Sequence, residues 1–321
     1  RHMSMNFSDK KVIVDSPARL HLGFYGINKD LDYSFGSIGL AINAFRTVVS
    51  AKSVKKSQSS LSNVKVDQIN QILKNKNINK NYALEIINSP PKHIGLGSGT
   101  QLSLSFIHAI NILLNLNLSK DECIQLSSRG KRSGIGIGTF YNGGFIVDGC
   151  KKGRLYPKTL FNLKFPKQWH IILINDTSRR GSFGRKESEF FDSKKNKIET
   201  INKELSFILM RGLFPSILYK DFSNFCDNLH RYQKMTSRFY KSNQKDTYLS
   251  NDIAKIIRFA ANSGFKGVGQ SSWGPLSYIF VESKAEAEDL IKAMESKFKV
   301  YNNLNYQIVG ISNTGYKHKI I

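Results

Sequence analysis

The stretch Ile94-Gly95-Leu96-Gly97-Ser98-Gly99-Thr100-Gln101 runs directly into an almost wholly apolar segment over residues 102–116. Glycines at alternate positions let the backbone approach a ligand closely, because glycine has no Cβ. The apolar segment predicts a helix whose first N–H groups and positive dipole end face the loop. The sequence therefore predicts a site for phosphate or another anion, with a ligand-free strand-to-helix turn as the alternative. The pattern is neither a Walker loop nor Gly-x-Gly-x-x-Gly.

Length and composition allow one large domain or two smaller ones. The chain has 321 residues, 40% of them hydrophobic, which is enough to bury a core. No apolar run reaches the length of a membrane span, and no secretory signal is visible. Cys123, Cys150 and Cys226 lie far apart, without metal-ligand spacing. We therefore expect a cytoplasmic protein with free thiols and no membrane partner.

The net charge of +24 is extreme. Lysine and arginine neutralise phosphates, so nucleic-acid binding is one interpretation of this charge. The cations are nevertheless spread along the chain, and the densest run, Lys194-Lys195-Asn196-Lys197, has no interleaved aromatic residues. This distribution favours anionic small-molecule substrates and predicts no specific nucleic-acid partner, although nucleic-acid binding stays as the alternative.

Runs of apolar and β-branched residues predict strands in both halves of the chain. These strands cover residues 11–14 leading into 16–24, 39–49, 169–174, 277–281 and 306–309. In addition, the Asn142-Gly143 pair within residues 140–147 predicts the turn of a β-hairpin.

Helices are predicted between these strands. Capping boxes at residues 119–122 and 283–286 mark two helix starts. The first of these helices is expected to end at Arg129, with Gly130 as the residue after it, and the second at about Lys297. Other helical segments cover residues 187–240 and 251–263. The mixed order of strands and helices predicts an α+β protein, divided into residues 5–160 and 161–321.

Four separate blocks resemble one superfamily of small-molecule kinases, named for galactokinase, homoserine kinase, mevalonate kinase and phosphomevalonate kinase (GHMP). The blocks are residues 16–24, 95–101, 129–136 and 267–275. In that superfamily a Gly-Leu-Gly-Ser-Ser loop wraps the phosphates of ATP, and residues 95–99 are a near match. The resemblance implies a two-domain GHMP-kinase-like fold. Its N-terminal domain would be a β-rich α/β unit, and its C-terminal domain would be ferredoxin-like.

The third block departs from the kinases at Gly136. Many of the kinases carry Ser-Gly-Ile-Asp, with a carboxylate that serves phosphoryl transfer, whereas this chain has Ser-Gly-Ile-Gly at residues 133–136. Glycine cannot accept a proton or hold a cation through a side chain, so kinase chemistry by that route is lost. Arg-Leu-His-Leu-Gly, Gly-Leu-Gly-Ser-Gly-Thr-Gln and Gly-Gln-Ser-Ser-Trp-Gly-Pro look instead like β-ribofuranosylaminobenzene 5′-phosphate synthases. This resemblance extends from residue 12 to about 315.

The resemblance implies a decarboxylating phosphoribosyltransferase that forms a carbon–carbon bond. The donor would be 5-phosphoribosyl 1-diphosphate with Mg²⁺, and the acceptor would be 4-aminobenzoate or 4-hydroxybenzoate, attacked at the ring carbon that bears the carboxylate. Diphosphate and CO₂ would leave, and the product would feed methanopterin biosynthesis. Related enzymes make C-nucleosides from heteroaromatic acids, so the acceptor stays open. A GHMP kinase acting on a small alcohol is the rival, and a homodimer is one expected assembly.

Loss of diphosphate requires preorganised donors and cations that stabilise the growing negative charge. The candidate substrate-binding residues come from all four blocks. They are Arg19, Gly95, Gly97, Ser98, Gly99, Thr100, Gln101, Arg129, Lys131, Arg132, Ser133, Gly134, Gln270, Ser271, Ser272 and Trp273. Gly97 and Gly99 are predicted to be small because backbone there meets phosphate. The cations between 129 and 132 have a second interpretation as a solvated helix terminus.

Three other candidates, together with Trp273 from the list above, have open roles. His21 is a candidate catalytic residue that orients Arg19, or else a histidine at the edge of the core. Asp148 is the candidate Mg²⁺ ligand, because Mg²⁺ prefers hard oxygen donors. Asp176 is a candidate for removing the acceptor's para proton, although lone aspartates are also common in turns. Trp273 is either a flat wall for the aromatic acceptor or a core residue.

Overall fold

The computed structural model describes residues 10–27, 33–54, 66–153, 155–181, 198–240 and 248–321. The strands are β1 (Lys11–Phe24), β2 (Tyr33–Ser34), β3 (Ser37–Val54), β4 (Asn81–Asn88), β5 (Phe145–Asp148), β6 (Lys151–Lys152), β7 (Thr159–Leu163), β8 (His170–Asp176), β9 (Val268–Gln270), β10 (Ser277–Val281), β11 (Leu304–Val309) and β12 (Lys317–Ile320). The helices are α1 (Val66–Asn75), α2 (Ser98–Leu114), α3 (Lys120–Ser127), α4 (Ile135–Asn142), α5 (Ile198–Ile208), α6 (Phe214–Leu218), α7 (Phe222–Tyr240), α8 (Asn251–Asn262) and α9 (Lys284–Lys297). A π-helical turn, Leu209–Leu213, joins α5 to α6. The basic run at 194–197 lies outside the described residues.

The first sheet contains six strands. Five follow the order β12-β1-β3-β5-β7, and β4 pairs with the later part of β3. Every pairing in it is antiparallel. Helix α2 packs on β1 and β3 and also contacts α3 and α4. Because protein surrounds it on several sides, α2 buries its polar residues Ser103, Ser105 and His108 along with the apolar ones.

The second sheet has the strand order β11-β8-β10-β9. Its pairings are also antiparallel. Along the chain these strands alternate with helices as β8, α8, β9, β10, α9 and β11, when the helices from α5 to α7 are treated as an insertion. This is the βαββαβ arrangement of a ferredoxin-like unit. The predicted α+β fold class, with a ferredoxin-like second part, is confirmed.

The two parts of the chain share one hydrophobic core. A single cluster of buried residues includes Leu20 and Phe24 of β1, Trp169, and Tyr278 of β10. Two strands also cross the expected division at residues 160 and 161. Strand β7 spans it, and β12, near the C-terminal end of the sequence, pairs with β1 in the first sheet.

Two local predictions are wrong. The hairpin predicted at residues 140–147 is instead the end of α4 followed by β5. Gly143 caps α4, with φ +66, because a Cβ there would come within 2.5 Å of the Thr314 backbone. Helix α3 ends at Ser127 and not at Arg129, and its left-handed C-cap is Ser128 with φ +54; Gly130 also has a positive φ, +79, but lies beyond the cap. Strand β12 was not predicted, because all four of its residues are exposed and show no apolar alternation.

Among the described residues, none of the helices is both long enough and apolar enough to cross a membrane.

Candidate active site

The four sequence blocks meet around the glycine loop. Arg19 of β1 donates from its backbone N–H to Leu96 O (3.3 Å) and from Nη1 to Gly95 O (2.9 Å). The fourth block contacts the same carbonyl, because Ser271 Oγ also donates to Gly95 O, at 2.6 Å. Ser272 N–H donates to His21 O (3.2 Å), which ties the fourth block to β1. His21 N–H also donates to Ser271 Oγ, 250 residues away along the chain, so distant segments are in direct contact here.

The glycine loop delivers the N-terminus of α2 to the surface of this structure. Gly95 and Gly97 have φ values of +109 and +67, in the region that favours glycine. Gly97 is the N-cap of α2, no side chain caps the helix, and its first turn contains no acidic residue. Ser98 and Thr100 in that turn are half-buried. An uncapped helix N-terminus presents N–H groups and a positive dipole end, which suits an anion.

Two arginines pack directly against the glycines of this loop. A Cβ on Gly97 would lie 2.5 Å from Nε and 2.9 Å from Cζ of Arg19. A Cβ on Gly99 would lie 2.9 Å from Nη2 of Arg129 and 3.2 Å from its Cζ. These glycines are therefore small because guanidinium groups occupy the adjacent space. The sequence-based reason, that backbone there meets phosphate, is not needed to explain them.

More cations follow Arg129 in the third block. Lys131 is exposed and Arg132 is half-buried. Lys151, which follows β5 on the neighbouring segment, is a further cation that the sequence motifs did not predict. Burial, together with the positive charges of Arg132 and Lys131, lowers the pKa of Lys151. Positive charges that lower the pKa of a neighbouring lysine favour an anion beside it. The chain contains other Lys-Lys pairs, so nothing in the local sequence distinguishes Lys151.

His21 is buried, and both ring nitrogens have hydrogen-bond partners within the protein. Gly23 N–H donates to Nδ1 (3.2 Å), and Nε2 lies 3.2 Å from Ser133 Oγ. Burial, with a smaller effect of the nearby Arg19 charge, lowers the pKa of His21 well below its ordinary value. A neutral, fully bonded imidazole of this kind is better suited to holding β1 against the third block than to taking a proton from a substrate.

Asp148 is fully buried at the end of β5 and accepts hydrogen bonds from protein donors at both oxygens. Ser37 N–H (2.9 Å) and Cys150 N–H (3.4 Å) donate to Oδ1, while Gly134 N–H (2.8 Å) and Ser37 Oγ donate to Oδ2. Burial raises the pKa of Asp148 to about 7, although these hydrogen bonds act in the opposite direction. This geometry argues against the expected role of Asp148 as a Mg²⁺ ligand.

Both carboxylate oxygens of Asp176, at the end of β8, also accept hydrogen bonds from protein donors. Its Oδ1 accepts from Ser178 N–H (2.9 Å), Ser178 Oγ (2.6 Å) and Asn303 Nδ2 (2.8 Å), and its Oδ2 accepts from Ser250 Oγ (2.5 Å). Burial raises the pKa of Asp176, but the hydrogen bonds outweigh it and leave the pKa below its ordinary value. Asp176 joins β8 to the start of α8, so the structure does not support the expected proton-accepting role.

The remaining polar candidates also hold the protein together. Gln101 Nε2 donates to Gly136 O (3.0 Å) and to Thr139 Oγ1 (3.3 Å), while its Oε1 is buried without a hydrogen-bond partner among the described residues. Gln270 accepts from Leu249 N–H (2.8 Å) and donates to Ser272 O (3.2 Å). Trp273 is buried in the shared core, which favours the packing interpretation of this residue.

Gly136 lies in the first turn of α4, against Thr100. A Cβ at this position would be 3.1 Å from Cβ and Cγ2 of Thr100 and 3.2 Å from its Oγ1. Thr100 therefore fills the space into which a longer side chain at residue 136 would project. The difference from Ser-Gly-Ile-Asp is accommodated by a neighbour on α2, and an aspartate here would require Thr100 to move.

The described residues do not fit a resident Mg²⁺ held by carboxylates. No three acidic, histidine or cysteine side chains lie together as a metal site within the described ranges. The oxygens of both candidate carboxylates, Asp148 and Asp176, already accept hydrogen bonds from protein donors. What the site does offer is positive charge and N–H donors around an uncapped helix start.

Comparison with known proteins agrees with the geometry. Residues 64–144, which include the glycine loop, match the GHMP kinases N terminal domain. The chain is 25% identical over 299 residues to β-ribofuranosylphenol 5′-phosphate synthase of Methanothermobacter thermautotrophicus, which covers 85% of this chain and 90% of that protein. It is 28% identical over 294 residues to the protein of the same name from Archaeoglobus fulgidus, with 84% and 88% covered.

Solved structures of other proteins are similar to this chain in fold. Homoserine kinase from Cytophaga hutchinsonii has a TM-score of 0.69 at 16% identity, with 99% of each chain covered. Mevalonate diphosphate decarboxylase from Enterococcus faecalis has a TM-score of 0.67 at 16% identity, with 97% of this chain and 99% of that chain covered. The chain is therefore similar in sequence to β-ribofuranosylphenol 5′-phosphate synthases and has the fold of the GHMP kinases, as its four motif blocks predicted.

Proposed function

We propose that this chain is an enzyme that transfers the phosphoribosyl group of 5-phosphoribosyl 1-diphosphate to a ring carbon of an aromatic acid. The acceptor is 4-hydroxybenzoate or 4-aminobenzoate, and CO₂ and diphosphate are released. The names of the sequence relatives describe a phenol that carries a ribofuranosyl 5′-phosphate. A phenol product favours 4-hydroxybenzoate as the acceptor and a place in methanopterin-type biosynthesis.

One observation carries the proposal: the guanidinium groups of Arg19 and Arg129 lie against Gly97 and Gly99, beside the uncapped N-terminus of α2. Arginine forks match the oxygens of phosphate groups. Together the helix start and the two arginines provide positive charge where a diphosphate would sit. Charge that develops on a leaving group is stabilised most by donors fixed in advance, as these are by their packing.

In the proposed reaction the bond between C1 of the ribose and the diphosphate oxygen breaks, and the electron pair leaves with the diphosphate. The ring carbon that bears the carboxylate then forms the new bond to C1. The bond from that carbon to the carboxylate breaks, CO₂ departs, and its electron pair restores the aromatic ring. Because CO₂ leaves in place of a proton, the ring carbon needs no general base. This agrees with the buried, fully bonded state of His21 and Asp176.

Mg²⁺ enters this proposal as the counter-ion of the donor's diphosphate. The described carboxylates provide no set of ligands for a resident ion, so no step is assigned to one. The cations Lys131, Arg132 and Lys151 are the proposed partners of the remaining anionic groups, the 5′-phosphate of the donor and the carboxylate of the acceptor. Lys151 belongs in this group because its pKa responds to the charges of the other two.

The test is incubation of the purified protein with phosphoribosyl diphosphate, Mg²⁺ and a panel of aromatic acids, in the complete absence of nucleotide. We expect release of ¹⁴CO₂ from carboxyl-labelled 4-hydroxybenzoate or 4-aminobenzoate, with one diphosphate for each CO₂. Turnover of a heteroaromatic acid alone would identify a C-nucleoside synthase. Strict dependence on ATP, with labelled γ-phosphate transferred to a small alcohol, would contradict the proposal and indicate a kinase. Salt-sensitive nucleic-acid binding without turnover would contradict it too.

A further inference from the structure

A chain of buried and partly buried hydrogen bonds connects Asp148 to His21 through Ser37 and Ser133 of the third block. Ser37 Oγ donates to Asp148 Oδ2, Ser37 Oγ lies 2.8 Å from Ser133 Oγ, and Ser133 Oγ lies 3.2 Å from His21 Nε2. It connects β5, β3, the start of α4 and β1. None of the roles given above explains why a carboxylate is buried at its end.

The direction of this chain follows from its end at His21. Gly23 N–H donates to Nδ1, so Nδ1 carries no proton and a neutral imidazole must carry its proton on Nε2. Nε2–H then donates to Ser133 Oγ, which also accepts from Ile135 N–H at 3.2 Å. Ser133 must in turn donate to Ser37, because the hydroxyl hydrogen of Ser37 is directed at Asp148. From His21 through Ser133 and Ser37, each donated hydrogen therefore points toward the carboxylate of Asp148.

We propose that Asp148 is a positioning residue of the active site, which in its ionised form fixes the cation-bearing segment 129–133 against β1 and the glycine loop. This inference rests on the proposed function for what the segment binds. Two connections carry it. Gly134 N–H, directly after the segment, donates to Asp148 Oδ2 at 2.8 Å, and the Ser37–Ser133–His21 chain holds the same segment to β1.

The ionised form is required because each hydrogen-bonding neighbour of Asp148 donates a hydrogen to the carboxylate, and none of them accepts one from it. A protonated carboxyl group would have to donate to Ser37 and reverse the chain, and reversal would place a second hydrogen against His21. The other titratable groups that face Asp148 are Tyr25 and Cys150. Burial raises the pKa of both, so they are uncharged at neutral pH. Burial also raises the pKa of Asp148 to about 7, so protonation would loosen the segment just below neutrality.

Two variants and a control separate positioning from simple loss of stability. Asp148→Asn must turn its NH₂ group toward either Gly134 N–H or the N–H groups of Ser37 and Cys150, so at least one connection is lost in either orientation. Ser37→Ala breaks the chain to His21 but leaves Gly134 bonded to Asp148. Ser50→Ala is the matched control, because Ser50 is a buried serine on the same strand whose hydroxyl donates to Glu85, away from the site.

The experiment measures kcat and KM for the donor, the affinity for inorganic diphosphate by calorimetry, and thermal unfolding. We expect Asp148→Asn to lower kcat/KM for the donor by about 100-fold, the scale of a 1 Å misplacement, and Ser37→Ala by about tenfold. Both should raise the KM for the donor and weaken diphosphate binding, with unfolding temperatures close to that of Ser50→Ala. Folded Asp148→Asn protein with unchanged kinetics and unchanged diphosphate affinity would overturn the proposal.

A spectroscopic measurement on the unaltered protein tests the same inference without depending on whether a variant folds. The amide proton of Gly134 bonds to Asp148, so its chemical shift should follow the ionisation of Asp148. It should titrate between pH 6 and 8, roughly one pH unit either side of the raised pKa of Asp148. A Gly134 amide that does not titrate across that range would overturn the requirement for ionisation. If the unaltered protein binds diphosphate but makes no product, the proposed function fails while the positioning role is still decided by the titration and the diphosphate affinities.

Discussion

Replacement of Gly99 by alanine distinguishes two explanations for the glycine loop. A Cβ at residue 99 would lie 2.9 Å from Arg129 Nη2, whereas ordinary contact begins at 3.4 Å, so the guanidinium must retreat by about 0.5 to 1 Å. The atom in contact is the far end of a flexible side chain, and Gly99 lies within α2. The fold should therefore remain intact, and the gain in helix propensity could stabilise it by up to about 1 kcal/mol.

The activity should fall although the protein stays folded. Removing a well-placed cation costs roughly 2–4 kcal/mol of transition-state stabilisation, and displacing it by up to 1 Å should lose much of that. We expect Gly99→Ala to lower kcat/KM by about 10- to 100-fold, measured with the CO₂-release assay, and thermal unfolding to be unchanged or slightly higher.

The decisive assay is a double-mutant cycle with Arg129→Ala. If Gly99 is small because Arg129 packs on it, alanine at 99 should cost less than about twofold in kcat/KM once the guanidinium is gone. If Gly99→Ala costs as much in the Arg129→Ala background as in the unaltered protein, the loop backbone itself contacts the donor. Our explanation from guanidinium packing would then be refuted.

Three other predictions concern the cations of the third block, the contact of Gly136 with Thr100, and the pKa of Asp148. In the series Arg129→Ala, Lys131→Ala and Arg132→Ala, at least one variant should lose 30- to 1000-fold in kcat/KM, equivalent to roughly 2–4 kcal/mol; three unaffected variants would place these cations on the solvated surface. Gly136→Ala gains up to about 1 kcal/mol of helix propensity but overpacks against Thr100, so we expect a net loss of stability of up to about 2 kcal/mol. Thr100→Ala in the same chain should restore part of the unfolding temperature; no restoration would exclude this contact as the cause. Burial raises the pKa of Asp148 to about 7, above the ordinary value of 3.8 for an aspartate. The folded state therefore binds more protons between these values, and the free energy of unfolding should decrease as pH rises through that window, by up to about 4 kcal/mol from this group. Denaturant unfolding at pH 5 and pH 8 should show a smaller decrease in Asp148→Asn, and an equal decrease would contradict the assignment.

Much of the fold could be predicted from local sequence. The strand at residues 277–281 and the helix from Lys284 to Lys297 lie where their patterns placed them. Both are decided by short-range features, a run of apolar residues and a serine N-cap. The two wrong local predictions involve glycines whose surroundings come from elsewhere in the chain. Gly143 ends a helix because the Thr314 backbone packs on it, and that contact is invisible in the sequence around residue 143.

The candidate site could be located from the sequence but its roles could not be assigned. The four blocks do come together, as the hydrogen bonds of Gly95 to Arg19 and Ser271 demonstrate. Their individual residues divide into groups that face outward, such as Arg129, and groups that bond only to protein, such as His21 and Asp148. This division depends on burial and on the positions of hydrogen-bond donors, and neither can be predicted from residue type. Ser37 and Lys151 carry no motif at all, so they emerged only from their neighbours in space.

The pairing of β12 with β1 has a consequence for the order in which this protein can fold. Val12 to Asp15 lie opposite residues 317–320, and the backbones of Lys11 and Ile321 exchange hydrogen bonds of 2.8 and 2.9 Å. Because synthesis proceeds from the N-terminal side, residues 317–320 are made roughly 300 residues after the strand with which they pair. Until then one edge of β1 is unpaired beside the segment that carries Arg19, an edge that invites pairing with other chains. Synthesis of residues 317–320, more than the folding of either half, should be the event that closes this edge of β1.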